Sequence, residues 1–125
     1  MPQFLISFND GAMDHITAEE LPDVGTAAHA VIQEAVDAGV WVFGGGLNPQ
    51  QASVVTPDGL VTDGPYPETK EVIGGLMVVD VPSRDDALAW AAKIAHACRC
   101  AQEVRQLGPD PELAEVLGLD DGRSD

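Results

Sequence analysis

The stretch from Asp63 to Lys70 holds the densest chemistry in this chain. Asp63-Gly64-Pro65-Tyr66-Pro67-Glu68-Thr69-Lys70 sets two carboxylates, a phenol ring and an ammonium around two prolines. A carboxylate can take up or orient a proton, and an ammonium can anchor an anion. Proline stiffens the backbone between them, which favours a preorganised wall. In that reading Asp63 is a catalytic base or orienter. Tyr66 packs against a ligand, Glu68 adds a polar contact and Lys70 holds an anion. The plain alternative is a turn at Asp63-Gly64-Pro65 followed by a solvated ion-pair loop.

A second constellation is Glu103 and Arg105, which alternate with Gln102, Val104 and Gln106. On a strand, alternate side chains share a face. If Val104 faces a core, Glu103 and Arg105 face away from it, and Arg105 could grip a substrate carboxylate with its planar fork. The alternative is an ion pair of Arg105 with Asp10 or Glu103. Asp10 ends the first apolar run and is a candidate for the same cleft. His96, Cys98 and Cys100 follow metal-ligand spacing. They straddle a helix end, however, and lack the further Cys or His of a zinc site, so no metal is expected. Gly44-Gly45-Gly46 follows a strand but lacks the lysine of a phosphate loop and any GxGxxG pattern. No nucleotide or other cofactor is expected.

The bulk of the chain bounds what these groups can do. It has 125 residues, 45% of them hydrophobic, enough for one domain with a real core. Six Lys and Arg face 21 Asp and Glu, for a formal charge of −15. That field disfavours nucleic acid and anionic membrane, both of which require basic residues to neutralise phosphate. No apolar stretch is long enough to span a bilayer. The start of the chain lacks the basic segment of a signal peptide. Cys98 and Cys100 are too close together for an easy structural disulfide, so a cytoplasmic setting is expected.

Periodicity supplies the elements that must position these groups. Residues 3–8 read as a strand ended by the Asn9-Asp10-Gly11 turn. Thr17 and Glu20 form a capping-box pattern. Leu21, Val24, Ala28, Val31, Ile32 and Ala35 then make one apolar helical stripe that Gly39 ends. Residues 40–43 are a β-rich run, which the three glycines are expected to break or bulge. Residues 52–56 and 60–62 are short strands joined by Pro57-Asp58-Gly59. Residues 73–81 are a long strand, and Leu76 to Val79 is apolar on both faces, as for a central strand covered twice. Ser83 caps a second helix. Residues 100–107 form the last strand of the domain, taken as residues 1–108. The remainder, 109–125, starts with a short helix over Pro111–Leu117 behind an Asp110 cap and ends in a loose tail.

The order βαββαβ, with the extra short strands in the middle, predicts an α+β, ferredoxin-like fold: an antiparallel sheet with both helices on one face. The other face needs cover, and a second copy of the chain is the simplest cover, so a homodimer is expected.

Asp63-Gly64-Pro65-Tyr66 with Glu68, Lys70 and Glu71, followed by Gly74-Gly75, resembles the YCII-related, or DGPF, family. Tyr66 stands where the family pattern has Phe. Asn9-Asp10, Ala38-Gly39-Val40, the run from Ala87 to Ala91 and Glu103-Val104-Arg105 share the resemblance, which covers residues 3–107. It implies a ferredoxin-like fold pairing into a dimeric α/β barrel, with clefts beside the dimer interface. It also implies a catalytic histidine on the first helix paired with an aspartate. His29 lies on that helix, but Ala28 takes the family's position, and one residue turns a helical side chain by about 100°. His15 is a further candidate to overhang the cleft.

Two functions follow. One is a lyase- or isomerase-type enzyme acting on a small organic acid or aromatic molecule by acid–base chemistry, in a cleft near the dimer interface. The other is a non-catalytic dimeric binding or regulatory module, since relatives of this family often accompany alternative sigma factors.

Overall fold

A computed structural model describes residues 1–48, 52–64 and 72–118. Its elements are β1 (Gln3–Asn9), α1 (Leu21–Asp37), β2 (Trp41–Gly46), β3 (Ser53–Val55), β4 (Val61–Asp63), β5 (Ile73–Asp80), α2 (Arg84–Cys98), β6 (Glu103–Gln106) and α3 (Pro111–Leu117). Four strands form one sheet in the order β2-β5-β1-β6, and β3-β4 form a separate two-stranded sheet. Every pairing in the large sheet is antiparallel. The fold is α+β and ferredoxin-like. No helix among the described residues is long and apolar enough to cross a membrane.

Antiparallel pairing aligns the faces of the strands. Phe4 lies opposite Val79, and Ile6 opposite Met77. These four are buried and pack with Ala87, Ala91, Ile94 and Cys98 of α2, and Ala28 and Val31 of α1 lie against them. Both helices therefore cover one face of the sheet. The opposite face carries Leu5, Val78 and Phe43 in one row across β1, β5 and β2, with Phe43 58% exposed.

Local signals set the helix ends. In α2 the Ser83 side chain accepts from the Asp86 N–H, and Arg99 closes the helix at φ 58°. In α3 Asp110 accepts from the Leu113 N–H, and Gly118 closes it at φ 70°. The Thr17–Glu20 box forms reciprocally: the Thr17 N–H donates to Glu20 Oε1 (3.2 Å), and the Glu20 N–H to Thr17 Oγ1 (3.3 Å). It makes a turn ahead of the helix, however, and α1 itself begins at Leu21. Pro22, in the first helical turn, has no N–H for a box to satisfy. Leu21 is 48% exposed and leaves the predicted stripe, while Val24 and Ala35 are buried.

Arg99 reaches back to Glu20, and Lys93 of α2 pairs with Glu34 of α1. These two clasps tie the helices together in antiparallel sense. Both are solvent-exposed and contribute little energy.

Two expectations change. The glycines after Phe43 continue β2 instead of breaking it: Gly44, Gly45 and Gly46 lie opposite Met77, Leu76 and Gly75, after a bulge between Trp41 and Phe43. At the bulge the backbones come too close for a side chain, since a Cβ on Gly44 would sit 2.5 Å from the Leu76 carbonyl oxygen. The last strand is also shorter than read. Arg99 turns left-handed, and Cys100 to Gln102 form a connection before β6. The predicted tail over 120–125 lies outside the described residues.

Gly44→Ala is expected to destabilise the fold by about 1–3 kcal/mol through overpacking. Gly45→Ala, whose added Cβ would meet nothing within 4 Å, should cost clearly less. Urea unfolding midpoints of the two variants check this.

Candidate functional site

The described residues line an open-sided, largely apolar cavity of about 240 Å³ between α1 and the glycine end of the sheet. Its roof is Gly25, Ala28, His29 and Ile32 of α1. Its floor is Ile6, Phe8, Leu76 and Met77, its sides include Trp41, Gly45 and Gly46, and Met13 and Gln102 close the ends. Ile94 and Cys98 form the wall toward α2.

Residues without side chains border this space. Gly25 on the helix and Gly45 and Gly46 on β2 contribute backbone alone, and a Cβ built on any of them meets nothing within 4 Å. Gly75 has no side chain either, so the Phe8 ring settles over it; a Cβ there would lie 2.5 Å from the ring. A glycine inside a helix costs about 1 kcal/mol relative to alanine. At Gly25 that cost coincides with room beneath the helix. An engineered apolar cavity of about 150 Å³ holds benzene, so this one has room for a molecule of about one ring.

The ionisable side chains among the described lining residues are His29 and Cys98. His29 is exposed, at the open side of the roof. Cys98 is 7% exposed, and burial pushes its thiol above the ordinary range, with the neighbouring Cys100 adding to the rise. Burial raises Cys100 as well, against a hydrogen bond from Gln102 Nε2 to its sulfur (3.5 Å). Both cysteines are free thiols. No group of three His, Cys, Asp or Glu able to hold a metal occurs among the described residues. His96 is exposed beside Arg99 in a shallow groove between the helices, away from this cavity.

The structure separates the other sequence candidates. Ala28 and His29 both line the cavity, so the one-residue shift along α1 leaves the imidazole at its rim. Asp63 is exposed on β4, opposite Ser53, and is not among the lining residues. Asp10 is exposed in the turn after β1, where its N–H donates to the Val72 carbonyl (2.6 Å). Glu103 and Arg105 lie opposite Ser7 and Leu5, on the face of the sheet away from the cavity. There Arg105 Nε meets Glu103 Oε1 at 3.0 Å, the ion-pair alternative. Tyr66, Glu68 and Lys70 lie outside the described residues. His15 is exposed in the turn that carries Met13.

Sequence reasoning missed Gly25, Phe8, Met13, Trp41 and Gln102 as lining residues. The available signal was a glycine in the second turn of an amphipathic helix together with a glycine run in a strand.

A four-stranded antiparallel sheet with two helices on one face and an apolar cavity under the first helix defines a ferredoxin-like domain built around a small-molecule-sized space. The YCII-related domain matches residues 5–109, and the chain belongs to that family. Among solved structures it is similar to 5-chloro-2-hydroxyhydroquinone dehydrochlorinase from Burkholderia phenoliruptrix AC1100, in complex with 2,5-dihydroxybenzoquinone. The TM-score is 0.50 at 15% identity, covering 88% of this chain and 97% of that one, which is a likeness of fold. No curated protein matches the chain.

A buried neutral thiol stabilises the fold below the thiol value of the unfolded chain, and that contribution is lost as pH rises toward the raised folded value. Wild-type stability should therefore fall from about pH 8.5 upward. Cys98→Ala should lower stability at neutral pH and flatten the alkaline decline. Urea midpoints at neutral and alkaline pH check both.

Proposed function

We propose that this protein is a small-molecule enzyme of the lyase or isomerase type, moving a proton on a ring-sized organic molecule held under α1. The observation that carries this is the placing of His29 on the rim of an otherwise apolar cavity. Imidazole can take up a proton and return it near neutral pH. The other ionisable lining group, Cys98, is held neutral by burial and is a poor base. In the proposed step the His29 imidazole accepts a proton from an acidic C–H or O–H of the bound molecule. The electron pair left behind forms a double bond as a leaving group departs, or moves along the substrate before the proton is returned. Trp41 and Phe8 bring aromatic side chains to the lining. The structural relative's quinone ligand is likewise a single six-membered ring.

The test is a screen of small carbon acids and halogenated ring compounds, read by NMR for product and for solvent deuterium incorporation. His29→Gln should lower kcat of the substrate found by roughly 10²–10⁴-fold, the usual worth of a general base. Asp63→Asn should leave it near wild type. Loss with Asp63→Asn and not with His29→Gln would move the site to the hairpin and its following loop. No turnover, together with ligand binding that raises Tm, would favour a binding module.

We propose also that two copies pair through the open face of the sheet. Leu5, Val78 and Phe43 supply its apolar surface, and Phe43 and its neighbour Val42 are exposed in the single chain. Sedimentation at micromolar concentration should give the mass of a dimer, and Phe43→Glu should shift it to the monomer. A wild-type monomer would end this proposal.

A further inference from the structure

Resting on the reading of the cavity under α1 as the ligand site, we infer that this site selects uncharged molecules and rejects both carboxylates and amines of the same shape. The described lining holds no Lys, Arg, Asp or Glu. Among the described residues no Lys or Arg lines the cavity, and three of these cations are paired elsewhere. Lys93 pairs with Glu34, Arg99 with Glu20, and Arg105 with Glu103 on the far side of the sheet. An ion entering the cavity exchanges its hydration for aliphatic and aromatic walls without a counter-charge, which is costly for either sign. The raised Cys98 thiol is consistent with that low polarity. The net charge of −15 adds a long-range bias against anions. What remains for recognition is neutral hydrogen bonding. Gln102 offers an amide at one end and His29 an imidazole at the rim, a pattern suited to hydroxyl, carbonyl or amide substituents.

Benzamide, benzoate and benzylamine share one ring and nearly one shape but differ in charge. Their binding to the full chain is followed by NMR at about pH 8, where a carboxylic acid is ionised and an alkylamine protonated. Shifts of the Gly45, Gly46 and Trp41 indole N–H signals locate the ligand. Benzamide should move these signals and bind at least about tenfold tighter than either ion, because neither ion finds a partner in the wall. Gln102→Lys, which places an ammonium in the wall, should bring benzoate up to the affinity of benzamide. If benzoate or benzylamine binds the wild type as well as benzamide, with the same signals shifting, the inference is overturned while the cavity remains the site. Benzoate binding that disappears in Lys70→Ala would trace such a failure to that residue. If Gln102→Lys still excludes benzoate while binding benzamide, charge is not the selecting property and the inference again fails. If no ligand shifts these signals, the cavity is not the site, and the inference falls together with that reading.

Discussion

The pairing of β5 between β1 and β2 is the constraint on which the rest of this structure depends. Because a strand alternates its side chains, one register decides for the whole sheet which residues meet the helices and which meet the outside. Phe4 against Val79 and Ile6 against Met77 place the large apolar residues under α1 and α2. The same register carries Leu5, Val78, Glu103 and Arg105 to the other face. A slip of one residue would exchange these sets, burying charges and exposing the core. Burial of several large side chains, each worth roughly 1.5–3 kcal/mol, far outweighs the exposed ion pairs between the helices.

That central pairing also explains the glycines. β2 approaches β5 so closely after its bulge that Gly44 has no room for a side chain, and the Phe8 ring occupies the place a side chain on Gly75 would take. At Gly45, Gly46 and Gly25 the situation is the reverse, since a side chain there would meet open space. Packing therefore requires glycine at the first two positions. Two of the other three, Gly25 and Gly46, leave backbone alone beside a cavity of about 240 Å³ on the helix side. Protein interiors normally leave few voids larger than a water molecule, so an apolar space of this size beside an exposed imidazole is a reason to look for a ligand there.

The sheet is also a barrier. Arg105 is a good carboxylate ligand by chemistry, yet the backbone of the sheet stands between it and the cavity, and Glu103 already takes its guanidinium. His29 is displaced by one residue from the family's position. The helix surface over the cavity is nevertheless wide enough to include both Ala28 and His29. Arg105 stands with Glu103 on the other face of the sheet, and on α1 both Ala28 and His29 border the cavity.

By itself the sequence determined the order of the elements and the ends of α2 and α3. The Ser83 and Asp110 caps, the Pro57-Asp58-Gly59 turn and the core stripe of α2 act within a few residues of themselves, so they are legible without the fold. The order of those elements, with the Asp63–Lys70 motif, was enough for the ferredoxin-like class and the family. Local reading erred where distant pairing overrode it. The glycine run became a strand because β5 supplied its hydrogen-bond partners, and residues 100–102 stayed out of β6 because Arg99 turns the chain first. The cavity was decided by tertiary structure alone. It joins Gly25, Gly46 and Gln102, residues far apart in the chain whose individual preferences say nothing of a shared space. That space exists only once the sheet register and the docking of α1 have brought their missing or small side chains to the same place.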